Sequence, residues 1–222
     1  MTEIEIVKSP IRRGFKEVQH LYALGQRHGA LIAGGYAAWM MGQNPICEAG
    51  DVDLFTKRTS FCGELAVGLG QEGYRLYSEG VNACTYVDET GSGRKDVQIV
   101  NANFEGEFST PEKLIKRFDM NVTQAVIVSE EFGLATSDFF VGVEERALRV
   151  FRVDNPVAAI YRIAKYIRKG YTISPLEVAK VFTAWDSFSP AKKERVIEAI
   201  SQNMIDDEDE FARDEEFWEA PY

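Results

Sequence analysis

Asp51-Val52-Asp53-Leu54-Phe55 alternates strictly between two kinds of side chain. In an extended chain successive residues point to opposite faces, so Asp51 and Asp53 share one face of a strand. Two carboxylates side by side offer hard oxygen donors of the kind that hold divalent cations. The segments around the pair read as the rest of a sheet with helices. Residues 13–28 carry Phe15, Val18, Leu21, Tyr22 and Leu24 at helical spacing, closed by Gly29. Ala30-Leu31-Ile32-Ala33 reads as a short strand, Gly34-Gly35 as a turn, and Tyr36 to Gly42 as a small-residue helix. Phe61 to Glu72 is a second amphipathic helix. Tyr74–Ser78 and Ala83–Val87 form a hairpin, Glu89 to Arg94 a turn, and Asp96 to Val100 another strand. Gln124–Ser129 and Leu134–Phe140 pair as strands. From Asn155-Pro156 to about Asn203 the pattern is helical.

Composition bounds the class. The chain has 222 residues, 45% hydrophobic and 27% charged, which suits one domain with an appendage and excludes a disordered chain. No stretch approaches the roughly 18–20 apolar residues of a membrane span. The start, Met1 to Glu5, lacks the features of a secretion signal. Cys47, Cys62 and Cys84 show no C-x-x-C spacing, so neither a disulfide framework nor a zinc site is expected. The expected setting is cytoplasmic, with no membrane partner. The net charge of −10 is uneven: residues 206–222 hold nine acids against one base, Arg213. The acidic balance therefore does not exclude a nucleic-acid partner. The acidic run itself reads as a solvated segment, or as a shield for a basic helix.

Two features give the aspartate pair a context. Gly34-Gly35 lies between a strand and a helix, where backbone N–H groups can approach a triphosphate at a helix N-terminus. Asp96 adds a third carboxylate at the start of a later strand. Three carboxylates and a glycine turn are the parts of two-metal phosphoryl or nucleotidyl transfer. Elsewhere, Arg162, Lys165 and Arg168 or Lys169 share one helix face, with Ile160, Ile163, Ala164 and Ile167 as the apolar side. His20 and His28 have no matching Cys or His. Trp39, Met40 and Met41 read as core, and Ser60 and Ser137 lack a histidine partner for acyl transfer.

Leu31-Ile32-Ala33-Gly34-Gly35 followed by Asp51-Val52-Asp53-Leu54 resembles the signature of the DNA polymerase β-like nucleotidyltransferase superfamily. The spacing across residues 36–50 is longer than usual, which places a longer loop around Asn44-Pro45. Lys116 to Ala125 is similar to the R-R-D-F-T-I-N-A element of CCA-adding tRNA nucleotidyltransferases and bacterial poly(A) polymerases. It departs from that element at Met120 and by one inserted residue near Thr123-Gln124. Asp154-Asn155-Pro156, Arg162-Ile163-Ala164-Lys165-Tyr166 and Gly170-Tyr171 resemble the D-P, R-x-x-R-F and G-F elements of the neck helix, with Lys165 in place of an arginine. The resemblance covers about residues 28–173. Residues 174–222 are too few for the tRNA-gripping body of those enzymes, so the match is to a truncated head and neck.

The resemblance implies an α+β fold: a nucleotidyltransferase mixed sheet with flanking helices over residues 1–153, then a small helical neck with an acidic tail over 154–222. It implies transfer of a nucleoside monophosphate from an NTP to an acceptor hydroxyl, such as an RNA 3′ end, with release of pyrophosphate. Asp51, Asp53 and Asp96 are the implied catalytic and metal-binding residues, for Mg²⁺ or Mn²⁺. Gly34, Gly35, Asp119, Arg162 and Lys165 are the implied nucleotide contacts, favouring ATP or CTP. The alternatives are a nucleotide- or protein-binding regulator and a toxin-like transferase on the same scaffold.

Overall fold

The computed structural model describes residues 4–42, 50–58, 61–80, 83–100 and 108–204. The loop around Asn44-Pro45 and the acidic run from Asp206 lie outside the described residues. The architecture is α+β, built on an eight-stranded mixed sheet. Its strands are β1 (Ile6–Pro10), β2 (Ala30–Ala33), β3 (Asp51–Thr56), β4 (Tyr74–Glu79), β5 (Ala83–Asp88), β6 (Asp96–Val100), β7 (Ala125–Ile127) and β8 (Phe132–Thr136). Their spatial order is β1-β8-β7-β2-β3-β6-β5-β4. Only β3 and β6 run parallel among these neighbours, in the register Asp51↔Asp96 and Asp53↔Gln98.

Alternation along the central strands divides the interior. Ala30, Ile32, Val52 and Leu54 face a core shared with α1 (Phe15–His28), α2 (Gly34–Met41) and α3 (Phe61–Gln71). Leu21, Leu24, Tyr36, Met40, Met41, Leu65 and Leu69 fill it. Leu31, Ala33 and Phe55 face the opposite side, against Phe118 and the short helix α4 (Pro111–Ile115). The aspartates of β3 share that second face, as a period of two requires. Gly29 closes α1 in the left-handed region, φ 66°, and donates its N–H to Gly25 O.

A third core packs the C-terminal helices α6 (Pro156–Arg168) and α7 (Pro175–Ser187) against residues 120–122 and 148–150, and α8 (Pro190–Met204) follows them. This core contains Met120, Val122, Leu148, Val150, Ala159, Ile163 and Val181. Asn155 starts α6 by accepting from Val157 N at 3.2 Å and Ala158 N at 3.1 Å, with Pro156 at the first helical position. A short parallel pair of β9 (Ala147–Leu148) and β10 (Thr172–Ile173) closes the region. No helix among the described residues is long and apolar enough to cross a membrane.

Three expectations need correction. The strand expected over Leu134–Phe140 ends at Thr136. Thr136 Oγ1 accepts from Phe139 N at 3.1 Å and caps a helix, α5 (Ser137–Glu145), which the apolar run had hidden. The helix expected from Tyr36 begins at Gly34, so both glycines belong to its first turn. On α6 the buried line runs through Pro156, Ala159 and Ile163, while Ile160 and Ile167 stay exposed. Strand β1 carried no signal that was read from the sequence.

Asn121 anchors the short 3-10 turn Asn121–Thr123, at the inserted residue of the R-R-D-F-T-I-N-A comparison. It is fully buried; its Nδ2 donates to Ala147 O at 3.0 Å and Asp138 O at 3.3 Å, and its Oδ1 accepts from Arg149 N at 2.9 Å. Asn121→Ala strands buried backbone groups and should destabilise the chain by about 2–4 kcal/mol, read from denaturant midpoints. His20 supplies a pH-dependent counterpart. Its Nε2 lies 3.0 Å from Tyr74 Oη, and burial, then the Arg94 charge, hold its pKa below the ordinary 6.5. The unfolded chain therefore takes up this proton first, so His20's contribution is complete above about pH 6.5 and is lost as pH falls below it. His20→Phe should flatten that part of the stability–pH curve; an unchanged slope would remove His20 from it.

Candidate active site

Strand β3 presents Asp51 and Asp53 at the end where β2 runs into α2. The register Ala33↔Asp53 sets Asp53 across from the residue that precedes that helix. Gly34 has φ 71°, and a Cβ there would stand 3.1 Å from Asp53 Oδ2 and 3.9 Å from Phe118. The carboxylate of Asp53 thus lies against the first turn of α2. Ala33 gives that turn no side-chain cap, and the turn contains no acid. By contrast, Thr110, Thr136, Asn155 and Ser174 each cap the helix that follows. A Cβ on Gly35 would meet nothing within 4 Å, so the backbone there borders open space. Bare N–H groups, no Cβ and open space are the requirements for a phosphate at close range.

Electrostatics link the three carboxylates. Burial first, then the charge of Asp51, pushes Asp53 up to about 7, against the opposing pull of Lys165. Asp96, beside Asp51 in the parallel register, is raised by burial, then by Asp51 and Asp88. Asp96 is exposed, and no group of three acids, histidines or cysteines among the described residues is drawn together closely enough to hold a metal as it stands. The donor set itself suits a hard divalent cation: Asp51 and Asp53 share a face, and Asp96 shares a register position with Asp51.

Helix α6 faces this edge. Arg162 Nη2 lies 2.8 Å from Asp119 Oδ2. Even so, Asp119 Oδ2 and Arg162 Nε are both buried without a well-angled hydrogen bond. The ion pair supplies each of these side chains with a charged partner in a largely buried setting. Burial raises the Asp119 carboxyl, and Arg162 opposes the rise. Lys165, one turn on, is the cation that acts on Asp53. Gly34 on α2, Asp53 on β3, Arg162 and Lys165 on α6, and Asp119 therefore lie near one another at one end of the sheet.

Tyr166 was quoted within the neck motif but given no role. Its ring packs edge-on to Tyr171 at 5.5 Å between centroids. Burial, then Tyr171, Asp119 and Asp53, drive its hydroxyl well above the ordinary range. It therefore lies within electrostatic reach of both Asp119 and Asp53. Its position next to Lys165 on a helix already assigned to the cleft was the available signal.

The fold is shared with solved tRNA-processing enzymes. The chain superposes on a CCA-adding enzyme in complex with CTP with a TM-score of 0.58 and 15% identity, over 88% of this chain and 52% of that one. A tRNA-processing enzyme in an apo form gives 0.54 and 16%, over 85% and 53%. The Thermotoga maritima CCA-adding enzyme complexed with tRNA gives 0.55 and 15%, over 87% and 50%. The chain thus shares the fold of these structures and spans about half the length of these enzymes. No family model matches it, and no curated protein matches it in sequence.

The two glycines are separable by mutation. Gly34→Ala forces a side chain into a left-handed φ against Asp53 and should lower stability by about 1–2 kcal/mol. Gly35→Val enters open space, so the fold should hold while NTP affinity, measured by calorimetry, falls at least roughly tenfold, about 1.4 kcal/mol. Unchanged affinity in folded Gly35→Val would leave the glycine a packing role only.

Proposed function

We propose that the protein is a metal-dependent nucleotidyltransferase that moves a nucleoside monophosphate from an NTP to an acceptor hydroxyl. The observation that carries this reading is the proximity of the Asp51–Asp53 face, the uncapped first turn of α2 and the Asp119–Arg162 pair at one end of the sheet. The first turn of α2 receives the β- and γ-phosphates. Asp51 and Asp53, with Asp96 beside them, hold Mg²⁺ or Mn²⁺, which supplies Lewis-acid activation of the acceptor oxygen and charge neutralisation at the leaving pyrophosphate. Lys165 adds fixed positive charge beside Asp53.

Asp119 and Arg162 offer an acceptor and a donor edge to the base. A carboxylate accepts from the amino group of adenine or cytosine, and a guanidinium donates to a ring nitrogen or carbonyl oxygen. ATP or CTP is therefore favoured over UTP. The fold supports RNA as the acceptor class, with a 3′-terminal hydroxyl as the nucleophile.

Purified protein incubated with each labelled NTP, Mg²⁺ and total RNA tests the reading. The wild type should label RNA, with ATP or CTP ahead of UTP. Asp51→Asn and Asp53→Asn should each abolish labelling while the protein stays folded. Arg162→Ala should blur base preference more than it lowers the maximal rate. Wild-type rates in both aspartate variants would overturn the assignment. NTP binding without transfer to any acceptor would instead make the protein a nucleotide-binding regulator.

A further inference from the structure

The C-terminal helices carry apolar side chains that the described residues leave uncovered. Leu176 is 71% exposed, Phe182 57% and Ile197 52%, and Ile160 and Ile167 on α6 are also exposed. Along α7 a shallow groove of about 410 Å³ is lined by Leu176, Ala179, Lys180, Thr183, Ala184 and Ser187. Its one charged lining residue, Lys180, is a cation that also pairs with Glu177 at 2.8 Å, so the positive charge for a partner comes from the helices as a whole. Isolated exposed apolar residues are ordinary, but a largely apolar groove with Leu176 exposed in its lining, on helices with further exposed apolar side chains, is suited to a cover.

The charge pattern identifies the cover. Residues 155–204 hold eight Lys and Arg against four Asp and Glu, a net charge of +4. Residues 206–222, directly after them, hold nine acids against Arg213. That stretch also contains Phe211, Phe217, Trp218 and Tyr222, too few apolar residues for a core of their own. Beyond Met204, where α8 ends, 18 residues can reach up to roughly 60 Å when extended. A tethered segment also meets its site at millimolar effective concentration. A second copy of the same groove would bring like charge to like charge, whereas the acidic aromatic stretch is complementary in both charge and polarity.

We infer that residues 205–222 dock on the outer face of the C-terminal helices, with Phe217-Trp218 seated in the α7 groove and the flanking acids beside Lys180 and the cations of α8. The interaction is independent of nucleotidyl transfer and holds whether or not the cleft is catalytic. Its occupant competes with any polyanion for the same helices.

Arg213 is the sole tryptic site within 205–222, which gives a direct readout in the full chain. Cleavage after Arg213 should be at least about tenfold slower in the full chain than in a synthetic peptide of residues 205–222, because docked backbone is protected. The protection should not depend on protein concentration. Phe217→Ser with Trp218→Ser, which leaves the helices untouched, should restore the peptide-like rate, and so should Leu176→Asp at its exposed site. Raising salt to about 0.5 M should shorten the protection, since the screening length falls below about 5 Å. Equal rates in peptide and full chain would overturn the inference. So would protection that grows with protein concentration, which assigns the groove to a second copy, or protection that survives both sets of substitutions.

Discussion

The parallel pairing of β3 with β6 sets the geometry on which the site depends. Each of these strands opens with an aspartate, and parallel register brings Asp51 and Asp96 to the same end of the sheet. In an antiparallel pair the same five-residue strand would carry Asp96 to the far end, about 14 Å away. Parallel neighbours need a crossover, and α3 with the β4–β5 hairpin supplies it. The flanking order β2-β3-β6 then places the β2-to-α2 turn at that same end. The carboxylate edge and the open helix N-terminus are thus two consequences of one strand order.

The second half of the cleft is fixed by a different set of contacts. Residues 119–121 pair with 149–151 through Phe151 N to Asp119 O at 2.7 Å and Asn121 N to Arg149 O at 3.1 Å. The α7 side chains then grip the same segment. Glu177 Oε2 accepts from Val150 N at 2.6 Å, and Lys180 Nζ donates to Val150 O at 3.0 Å. The third core packs α6 onto Met120 and Val150. Asp119 and Arg162 are therefore positioned by one packed unit, so their approach is imposed by the scaffold. Flexible surface pairs rarely contribute more than about 1 kcal/mol. This pair is instead partly buried and in direct contact at 2.8 Å.

Much of this was legible in the sequence because it rests on local rules. Alternation put Asp51 and Asp53 on one face, and the sheet keeps them there. Asn155-Pro156 announced α6. The failures share a physical cause. Leu134–Phe140 is apolar enough for a strand, but the Thr136 hydroxyl can end a strand and start a helix, and composition does not distinguish the two. Ile160 and Ile167 fit an apolar stripe by spacing, yet spacing cannot say how wide a strip the neighbouring element covers. Asn121 reads as an ordinary polar residue until the segments 138–149 are folded around it. The three-dimensional proximity of Asp119 to Arg162 came from family resemblance, since no local pattern links positions so far apart in the chain.

The carboxylate face works against the stability of its own strand. Asp53 is desolvated and stands beside Asp51, and both effects raise it to about 7, so its ionised form is costly at neutral pH. A residue kept only to finish a strand would serve better as serine or asparagine, which hydrogen-bond without charge. The neighbouring features all reduce that cost with positive potential. The N-terminus of α2 carries a partial positive charge near Asp53, and Lys165 is directed at it from α6. Lys165 cannot neutralise both aspartates, so the face retains net negative charge within a cleft otherwise built to attract phosphate. Opposite requirements within a few ångströms, an anion-seeking helix end and a cation-seeking pair of carboxylates, are reconciled by a ligand that brings both charges together. A nucleoside triphosphate with its divalent cation is a ligand of that kind, which is why the proposed function sets phosphates toward the helix end and the metal toward the carboxylates.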